Sequence, residues 1–361
     1  MTKEATTDSV ADETHLEVQR YYGETLASSD DLKTTACCTV AGVPEFAKQF
    51  LAEIHAEVTQ RYYGCGLVLP EALEGMSILD LGCGAGRDVY LLSRLAGAAG
   101  RVVGVDMTPA QLAVAHEYQD YHARAYGYPE SNVDFVEANI EQLDQTALEP
   151  GSFDLIVSNC VINLAVDKAA VLASAKQLLR PGGEMYFADI YADRRIPAAL
   201  RDDPVLYGEC LAGSMYPPDF LELARASGFA NPRLVEQSPV DITDEAISER
   251  VGAMQFCSAT YRLFNIDGLE SSEEDYGQKA VYLGSIAEYP VQLVFDQQYT
   301  FPVNSEVAVS GNMAAILSQS RLADSFRLIG DKSRHYGTFS GSLTYLPEFT
   351  EVSKGGNVSC C

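Results

Sequence analysis

Two cysteines, Cys160 and Cys210, carry the first chemical signal in this chain of 361 residues. Cys160 ends a strand-like run, and Cys210 follows 50 residues later. Between Cys65 and Cys160 lies a glycine-rich signature of nucleotide binding, Ile78-Leu-Asp-Leu-Gly-Cys-Gly-Ala-Gly-Arg-Asp88. Thiols that converge on a nucleotide site indicate an enzyme that transfers a group to an acceptor held by sulfur.

The glycine-rich loop indicates which nucleotide is bound. Gly82, Gly84 and Gly86 permit a tight turn and let backbone N–H groups approach a ligand closely. Asp106 ends the next strand, 20 residues after Gly86, where a carboxylate accepts hydrogen bonds from both ribose hydroxyls. The loop has no third glycine spaced for a pyrophosphate, so with Asp106 it resembles class I S-adenosylmethionine-dependent methyltransferases more than an NAD-binding fold. The adenine contacts of those enzymes map onto Asn139, Ile140 and Glu141.

The elements that must position these residues alternate along residues 76–190. Short apolar runs are followed by helix-compatible sequence or turns, which predicts a parallel sheet with helices on both faces. Ligands of such sheets bind beyond the carboxyl ends of the strands. Apolar spacing also predicts one amphipathic helix from Pro44 to Arg61, and Arg180-Pro-Gly-Gly183 predicts a sharp turn. The predicted strands are Ser77–Leu81, Arg101–Val105, Val133–Val136, Phe153–Val157 and Glu184–Ala188.

One pentapeptide, Gln-Arg-Tyr-Tyr-Gly, occurs twice, at residues 19–23 and 60–64. Two copies of five residues do not make a repeat architecture. Chance together with shared helix-end chemistry is the interpretation that the sequence favours.

Composition limits the partners. The chain has 25 basic and 51 acidic residues and a formal charge of −26, which disfavours nucleic acid and anionic membrane surfaces but not small neutral substrates. No apolar stretch follows a basic start, and no run of about 18 apolar residues is present, so neither a secretory signal nor a membrane span is expected. Nine cysteines in such a chain predict reduced thiols in the cytoplasm.

The cysteines can also be interpreted without any function. A buried cysteine is most often a small hydrophobic residue, and packing explains Cys83 and Cys257. Cys65 lies in a loop before the first strand, Cys160 at the carboxyl end of the fourth, and Cys210 in the segment after the fifth. Spacing alone leaves a function and simple packing equally open for these three. No CxxC pair is present, which disfavours a structural zinc site.

Several motifs taken together resemble one family, the arsenite S-adenosylmethionine methyltransferases. The similarity runs from about residue 15 to the end and includes the terminal Cys360-Cys361. The motifs are Leu32-Lys-Thr-Thr-Ala-Cys-Cys-Thr39, Arg61-Tyr-Tyr-Gly-Cys-Gly-Leu67, Ser158-Asn-Cys-Val-Ile-Asn-Leu164, Gly208-Glu-Cys210 and Ser258-Ala-Thr-Tyr-Arg-Leu-Phe264.

The resemblance implies that Cys65, Cys160 and Cys210 bind arsenic as thiolates. Trivalent arsenic is soft and thiophilic, and three thiolates leave it pyramidal with a lone pair that attacks the sulfonium methyl group. The family has one essential cysteine in its first motif, where this chain has Cys37 and Cys38. The resemblance implies that one of these two forms a disulfide with Cys65, and that formation of this disulfide supplies the electrons that reduce pentavalent arsenic. External thiols such as glutathione or thioredoxin then reset the enzyme.

The resemblance also implies further site residues. Glu209 polarises an arsenic hydroxide as it leaves, the alternative being an exposed structural acid. Cys360-Cys361 form an additional capture pair, or are dispensable. The residues assigned to S-adenosylmethionine are Tyr63, Asp80, Gly82, Gly84, Gly86, Arg87, Asp106, Met107, Asn139, Ile140, Glu141 and Asn159.

The expected fold class is therefore α/β, with a Rossmann-like class I methyltransferase sheet, an arsenic-binding insertion and a smaller C-terminal α+β domain.

Two other functions remain open: a class I methyltransferase for a small organic acceptor, and a thiol protein that sequesters metalloids. The expected substrate is arsenite or its thiol conjugate, and the expected state is a monomer. The predicted segments are 1–43, a partly ordered N-terminus; 44–193, the S-adenosylmethionine domain; 194–240, the arsenic-binding segment; 241–347, the C-terminal domain; and 348–361, a cysteine-containing tail.

Overall fold

The computed structural model describes residues 15–25, 43–64, 66–343 and 345–349. Its centre is a seven-stranded sheet in the order β3-β2-β1-β4-β5-β7-β6. Strands β1 to β5 are parallel, whereas β7 is antiparallel to both β5 and β6. The strands are β1 (Ser77–Leu81), β2 (Arg101–Asp106), β3 (Val133–Glu137), β4 (Phe153–Asn159), β5 (Leu179–Ala192), β6 (Arg233–Val240) and β7 (Phe256–Phe264).

Helices cover both faces of this sheet. Alternate side chains of a strand point to opposite faces, and Leu79 and Ile78 accordingly lie in two different apolar cores. The helices are α1 (Glu45–Leu51), α2 (Ala56–Gln60), α3 (Arg87–Ala96), α4 (Pro109–Glu117), α5 (Gln119–Ala125), α6 (Lys168–Leu178), α7 (Ala198–Arg201), α8 (Pro204–Gly208), α9 (Pro217–Ala226), α10 (Glu245–Val251) and α11 (Gly311–Gln319). Helices α6 and α9 pack in the core of Leu79, and α3 packs in that of Ile78. The predicted doubly covered sheet is confirmed.

Shorter elements complete the chain. Residues 15–20 are helical and continue into a π-helical turn, Tyr21–Thr25. Single 3₁₀ turns are Ile140–Gln145, Ile162–Leu164 and Ala323–Ser325. The C-terminal strands are β8 (Glu274–Asp275), β9 (Lys279–Tyr282), β10 (Gln292–Val294), β11 (Thr300–Pro302), β12 (Glu306–Ala308), β13 (Phe326–Ile329) and β14 (Gly337–Thr338). They form the antiparallel sheets β12-β9-β13, β10-β11 and β14-β8, so this region is a small α+β unit.

Two local predictions differ from the structure. The prediction of a single helix from Pro44 to Arg61 is wrong, because the chain bends after Leu51 and buries Ile54. A new helix then begins, and the His55 side chain caps it by accepting a hydrogen bond from Glu57 N at 3.3 Å. The sharp turn predicted at residues 180–183 is a bulge within β5. Leu179 pairs with Phe153 and Glu184 with Leu155, so the residues between them do not pair with β4.

The central sheet also extends further along the chain than the alternating pattern predicts. Strands β6 and β7 lie in the segments 194–240 and 241–347, yet both pair into the methyltransferase sheet. Among the described ranges, no helix combines the length and the apolar character needed to cross a membrane.

Candidate active site

A cavity that opens to solvent, with about 960 Å³ of empty space including its mouth, lies at the carboxyl ends of β1, β2 and β4. The glycine-rich loop forms one wall. Gly84 has a φ of +52°, and a side chain at this position would meet open space, so the backbone itself faces a ligand. Gly82, with a φ of +73°, instead packs against Val161, 2.4 Å from the position of a hypothetical Cβ.

Asp106 organises this loop. Its two carboxylate oxygens accept hydrogen bonds from the backbone N–H groups of Gly84 and Thr108, each at 2.8 Å. Burial raises the pKa of Asp106, and these N–H groups oppose the rise because they stabilise the ionised form. The carboxylate is thus held at the cavity wall at the end of β2.

Three acids and one guanidinium surround the centre of the cavity. Burial raises the pKa of Asp80 well above its ordinary value, and the carboxylates of Asp88 and Asp106 raise it further. Arg87 is the neighbouring cation, and its Nη2 lies 2.7 Å from Asp88 Oδ1. A cavity with surplus negative charge fits a cationic ligand such as a sulfonium.

Asn139 and Glu141 form another part of the cavity wall. The Asn139 side chain caps the 3₁₀ turn by accepting from Glu141 N at 2.9 Å. Glu141 accepts from the backbone N–H groups of Val166 and Asp167, and His15 lies 2.7 Å from its Oε1. Burial opposes ionisation of Glu141, but these contacts outweigh it and lower its pKa.

The N-terminal segment 15–25 crosses the cavity as a strap. Gln19 Nε2 donates to the Met107 carbonyl at 2.6 Å, and Gln111 Nε2 donates to the Tyr22 carbonyl at 2.8 Å. Gln111 Oε1 is buried and has no hydrogen-bond partner within the described part of the chain. A buried acceptor of this kind, at the cavity wall, suits a ligand that carries hydroxyl or amino groups.

Two cysteines meet beside this cavity. Cys160 and Cys210 have φ angles of +57° and +60°, a left-handed backbone that non-glycine residues rarely adopt. Cys210 Sγ lies 3.2 Å from the Cys160 carbonyl oxygen and donates to it. Cys160 contributes to the cavity lining, while Cys210 lies beside it in an apolar cluster. Backbone strain of this kind is frequent at functional sites, and here it occurs at two adjoining thiols.

The oxidation states of the cysteines differ. Cys160 is disulfide-bonded, whereas Cys83, Cys210 and Cys257 are not. Glu209, immediately before Cys210, is buried and accepts a hydrogen bond from the Tyr21 hydroxyl at 2.8 Å. Cys37, Cys38, Cys65, Cys360 and Cys361 lie outside the described residues.

Comparisons with known proteins agree over nearly the whole chain. Residues 72–248 match a methyltransferase domain, and residues 276–342 match the arsenite methyltransferase C-terminal domain. The arsenite methyltransferase of Aquipseudomonas alcaligenes is 51% identical over 347 residues, covering 96% of this chain and 100% of the relative. That of Homo sapiens is 44% identical over 319 residues, covering 88% of this chain and 84% of the relative.

A solved structure adds the fold. The crystal structure of an arsenic (III) S-adenosylmethionine methyltransferase from Chlamydomonas reinhardtii superposes with a TM-score of 0.80 at 47% identity, covering 83% of this chain and 100% of that one. The chain belongs to the arsenite methyltransferase family. Like its relatives it is an S-adenosylmethionine-dependent methyltransferase, as the sequence motifs predicted.

The cavity collects most of the residues assigned from the family motifs to S-adenosylmethionine. Those that line it are Tyr63, Asp80, Gly82, Gly84, Arg87, Asp106, Met107, Asn139, Ile140, Glu141 and Asn159. Gly86 lies outside the lining. It caps α3 with a φ of +89°, and an added Cβ would lie 3.0 Å from the Phe135 ring. Its conformation, more than ligand contact, requires glycine.

Sequence reasoning missed other residues of the arsenite methyltransferase site. His15, Tyr22, Tyr62, Asp88, Thr108 and Gln111 also line the cavity. Asp88 and Tyr62 adjoin recognised motif residues, so proximity in sequence could have suggested them. His15 and Tyr22 come from the strap. The pentapeptide shared with residues 60–64 could have suggested Tyr22, but it does not include His15.

Proposed function

We propose that this protein transfers the methyl group of S-adenosylmethionine to trivalent arsenic held by the thiolates of Cys160 and Cys210, with Cys65 as the third ligand. The observation that carries this proposal is the pairing of two left-handed cysteines, one of which lines the cavity. Backbone strain at both thiols is unexplained if these cysteines only fill space, because an ordinary packing cysteine needs no positive φ.

The ligand exchange follows from the chemistry of sulfur and arsenic. Arsenous acid is neutral, so the acidic cavity and the net charge of −26 do not repel it. Each thiol replaces one hydroxide, an As–S bond forms, and water leaves with the thiol proton. The arsenic atom keeps its lone pair and is itself the nucleophile, so the methyl-transfer step requires no general base. The protein's contribution is to hold the acceptor beside the donor.

The residues of the cavity suit the methyl donor. When bound, S-adenosylmethionine supplies an electrophilic methyl group on a positively charged sulfonium. Asp106 would hold the ribose hydroxyls, and Asn139 with Glu141 would contact the adenine. Asp80, Asp88 and Arg87 would surround the charged amino-acid portion, which carries both signs of charge and matches this mixed cluster.

A reductant completes the cycle. Methylation uses the arsenic lone pair and therefore oxidises arsenic from the trivalent to the pentavalent state. Two electrons from two thiols, which become a disulfide, return it to the trivalent state. We assign this disulfide to Cys65 with Cys37 or Cys38, and its reduction to glutathione or thioredoxin.

Glu209 has a separate role in this proposal. Its carboxylate precedes Cys210 directly, and the Tyr21 hydroxyl fixes one oxygen at 2.8 Å. From this position Glu209 would polarise a departing arsenic hydroxide or accept the thiol proton as the As–S bond forms.

The test is transfer of a radiolabelled methyl group to arsenite in the presence of glutathione. Cys160→Ser and Cys210→Ser should each lower the rate by at least about 100-fold, because a serine oxygen does not replace a thiolate as a ligand for soft arsenic. Cys257→Ser is the matched control. Cys257 is buried in the sheet core, so its substitution tests thiol loss without loss of the site. Retained arsenite methylation in either site variant would contradict the proposal.

A further inference from the structure

The two copies of Gln-Arg-Tyr-Tyr-Gly occupy equivalent places at the active site. Each begins in the last turn of a helix, one formed by residues 15–20 and the other by α2. The fourth residues of the copies, Tyr22 and Tyr63, face each other with ring centroids 5.6 Å apart. Both line the cavity. Shared helix-end chemistry is therefore only part of what the copies have in common.

The third residues of the copies make matching contacts. The Tyr21 hydroxyl donates to Glu209 Oε1 at 2.8 Å, and the Tyr62 hydroxyl accepts from Asn159 Nδ2 at 2.6 Å. Glu209 and Asn159 each stand immediately before a cysteine with positive φ, Cys210 and Cys160 respectively. Each copy of the pentapeptide thus reaches the residue that precedes one thiol.

The surroundings of Tyr62 fix it in place. The Arg87 guanidinium lies over its ring, 3.1 Å from the centroid, which is a cation–π contact. Asn159 Nδ2 also donates to Asp88 Oδ2 at 3.1 Å, so the amide is held from two sides. A side chain at Gly64 would lie 2.3 Å from the Tyr62 hydroxyl and 2.8 Å from Asn159 Cγ.

Tyr21 is enclosed in a similar way. A Cβ at Gly208 would lie 2.7 Å from its ring, so the start of Gly208-Glu-Cys210 packs directly on the tyrosine. The neighbouring Tyr22 hydroxyl donates to the Gly208 carbonyl at 2.7 Å. The first copy of the pentapeptide therefore binds the Gly208 carbonyl and the Glu209 side chain, which precede Cys210. The second copy binds the Asn159 side chain, which precedes Cys160.

We infer that Tyr21 and Tyr62 are a matched pair of positioning residues, each of which keeps one cysteine in its left-handed conformation through the residue that precedes it. A positive φ costs free energy at a non-glycine residue, and the hydrogen bond to the preceding side chain offsets part of that cost. Calling the two thiols arsenic ligands depends on the proposed function, whereas the positioning itself does not.

Peptide-resolved alkylation of the fully reduced protein tests the inference. Cys160 and Cys210 are buried, so a thiol reagent reaches them only when their segments open. Removing one hydrogen bond should make that opening about fivefold more frequent. Tyr21→Phe should speed labelling of Cys210 about fivefold, and Tyr62→Phe should do the same for Cys160. In each case the other cysteine should change less than twofold.

The matched control is Tyr276→Phe, since Tyr276 donates to Glu270 Oε1 at 2.6 Å in the C-terminal region and has no contact with either cysteine segment. Cys257 is the internal reference in every sample. Unchanged labelling in both variants would overturn the inference. Equal acceleration of both cysteines by either variant would overturn it as well, because that result indicates general loosening.

Steady-state kinetics separates this inference from the proposed function. Tyr21→Phe should raise KM for arsenite about fivefold and leave KM for S-adenosylmethionine within twofold of wild type, because Tyr21 is not among the described residues that line the cavity. Tyr62→Phe should raise KM for arsenite as much, with a smaller rise in KM for S-adenosylmethionine because Tyr62 lines the cavity. A wild-type protein that does not methylate arsenite would contradict the proposed function and leave the labelling result intact. An active enzyme whose two variants show wild-type KM for arsenite would contradict the positioning role.

Discussion

The acids of the cofactor cavity and the ion pairs around Arg262 bury charge in opposite ways. Four acids and two guanidiniums line the cavity: Asp80, Asp88, Asp106 and Glu141 with Arg61 and Arg87. Burial and the neighbouring carboxylates raise the pKa of Asp80 well above its ordinary value. The cavity therefore contains a carboxyl group whose ionised form lacks compensation from the protein.

Around Arg262 the charges balance. Its guanidinium binds Glu184 at 2.5 Å and Glu71 at 2.7 Å, and Arg321 forms a second ion pair with Glu184. Burial alone raises the pKa of Glu184, but the two guanidiniums outweigh this and hold it below its usual value. Two cations thus face two carboxylates, and the charge of this cluster is balanced within the protein.

The protein balances the buried charges around Arg262 by itself, whereas it leaves surplus negative charge in the cavity. A balanced buried cluster ties the central sheet to the C-terminal region, because Arg262 on β7 also donates to the Phe295 carbonyl at 3.0 Å. An unbalanced cluster at the strand ends is completed by a cationic ligand. Substitutions in the first should lower stability and activity together, whereas substitutions in the second should change binding alone.

The largest expected effect is that of Arg262→Met. It leaves Glu184 and Glu71 buried with one cation fewer, and breaking a buried pair in this way costs about 3–5 kcal/mol. Urea unfolding followed by circular dichroism should show that loss in the free energy of unfolding. Activity should fall only as far as the folded fraction falls.

Arg101→Met is the control for this prediction. Arg101 pairs with Asp134 at 3.0 Å, but both side chains are more than half exposed, so little change in stability is expected. If Arg262→Met is as stable as wild type, then Arg262 is not a structural cation and the contrast between the two regions fails.

Asp80→Asn should have a smaller effect, confined to binding. At pH 8 the amide should weaken S-adenosylmethionine binding about tenfold, about 1.4 kcal/mol, because it removes one negative charge near a cation. The raised pKa gives the sign of the pH dependence. A bound cation favours ionised Asp80, so wild-type affinity should rise with pH, and it should approach that of the variant as Asp80 protonates in acid. Isothermal titration calorimetry measures both.

S-adenosylhomocysteine is the matched ligand, since it lacks the sulfonium charge but keeps the amino-acid portion that Asp80 is proposed to surround. Its affinity should therefore fall about as far in Asp80→Asn, with the same direction of pH dependence. A loss confined to S-adenosylmethionine would mean that Asp80 acts on the sulfonium and not on the amino-acid portion.

The sequence predicted the cavity better than the buried ion pairs, for a physical reason. Glycine spacing and a strand-ending aspartate are local signals, and β1 was predicted with its observed limits, Ser77–Leu81. The partners of Arg262 are Glu184 and Glu71, which are 78 and 191 residues away along the chain. Contacts between residues so far apart in the chain leave no periodic pattern in the sequence. Arg262 was noticed only as part of a family motif, with no role assigned to it.

The thiols illustrate the same limit. Their place at strand ends was visible in the order of elements, but the positive φ of Cys160 and Cys210 was not, because cysteine has no preference for that conformation. The strap was also not predicted. Its contacts with Met107 and Glu141 join residues about 90 and 126 positions apart in the chain.

The smallest expected effect concerns His15, at the edge of the cavity. Glu141 resembles Glu184 more than Asp80, because contacts within the protein already lower its pKa. His15 is only one of those contacts, and the backbone N–H groups of Val166 and Asp167 remain when it is removed. His15→Ala should therefore weaken S-adenosylmethionine binding only two- to threefold, about 0.5 kcal/mol, as for a partly exposed pair. Glu17→Ala, an exposed position on the same helix, should leave affinity unchanged. A loss of tenfold or more in His15→Ala alone would mean that the strap closes the cavity through this one contact, and that the backbone N–H groups of Val166 and Asp167 do not by themselves hold Glu141 at the cavity wall.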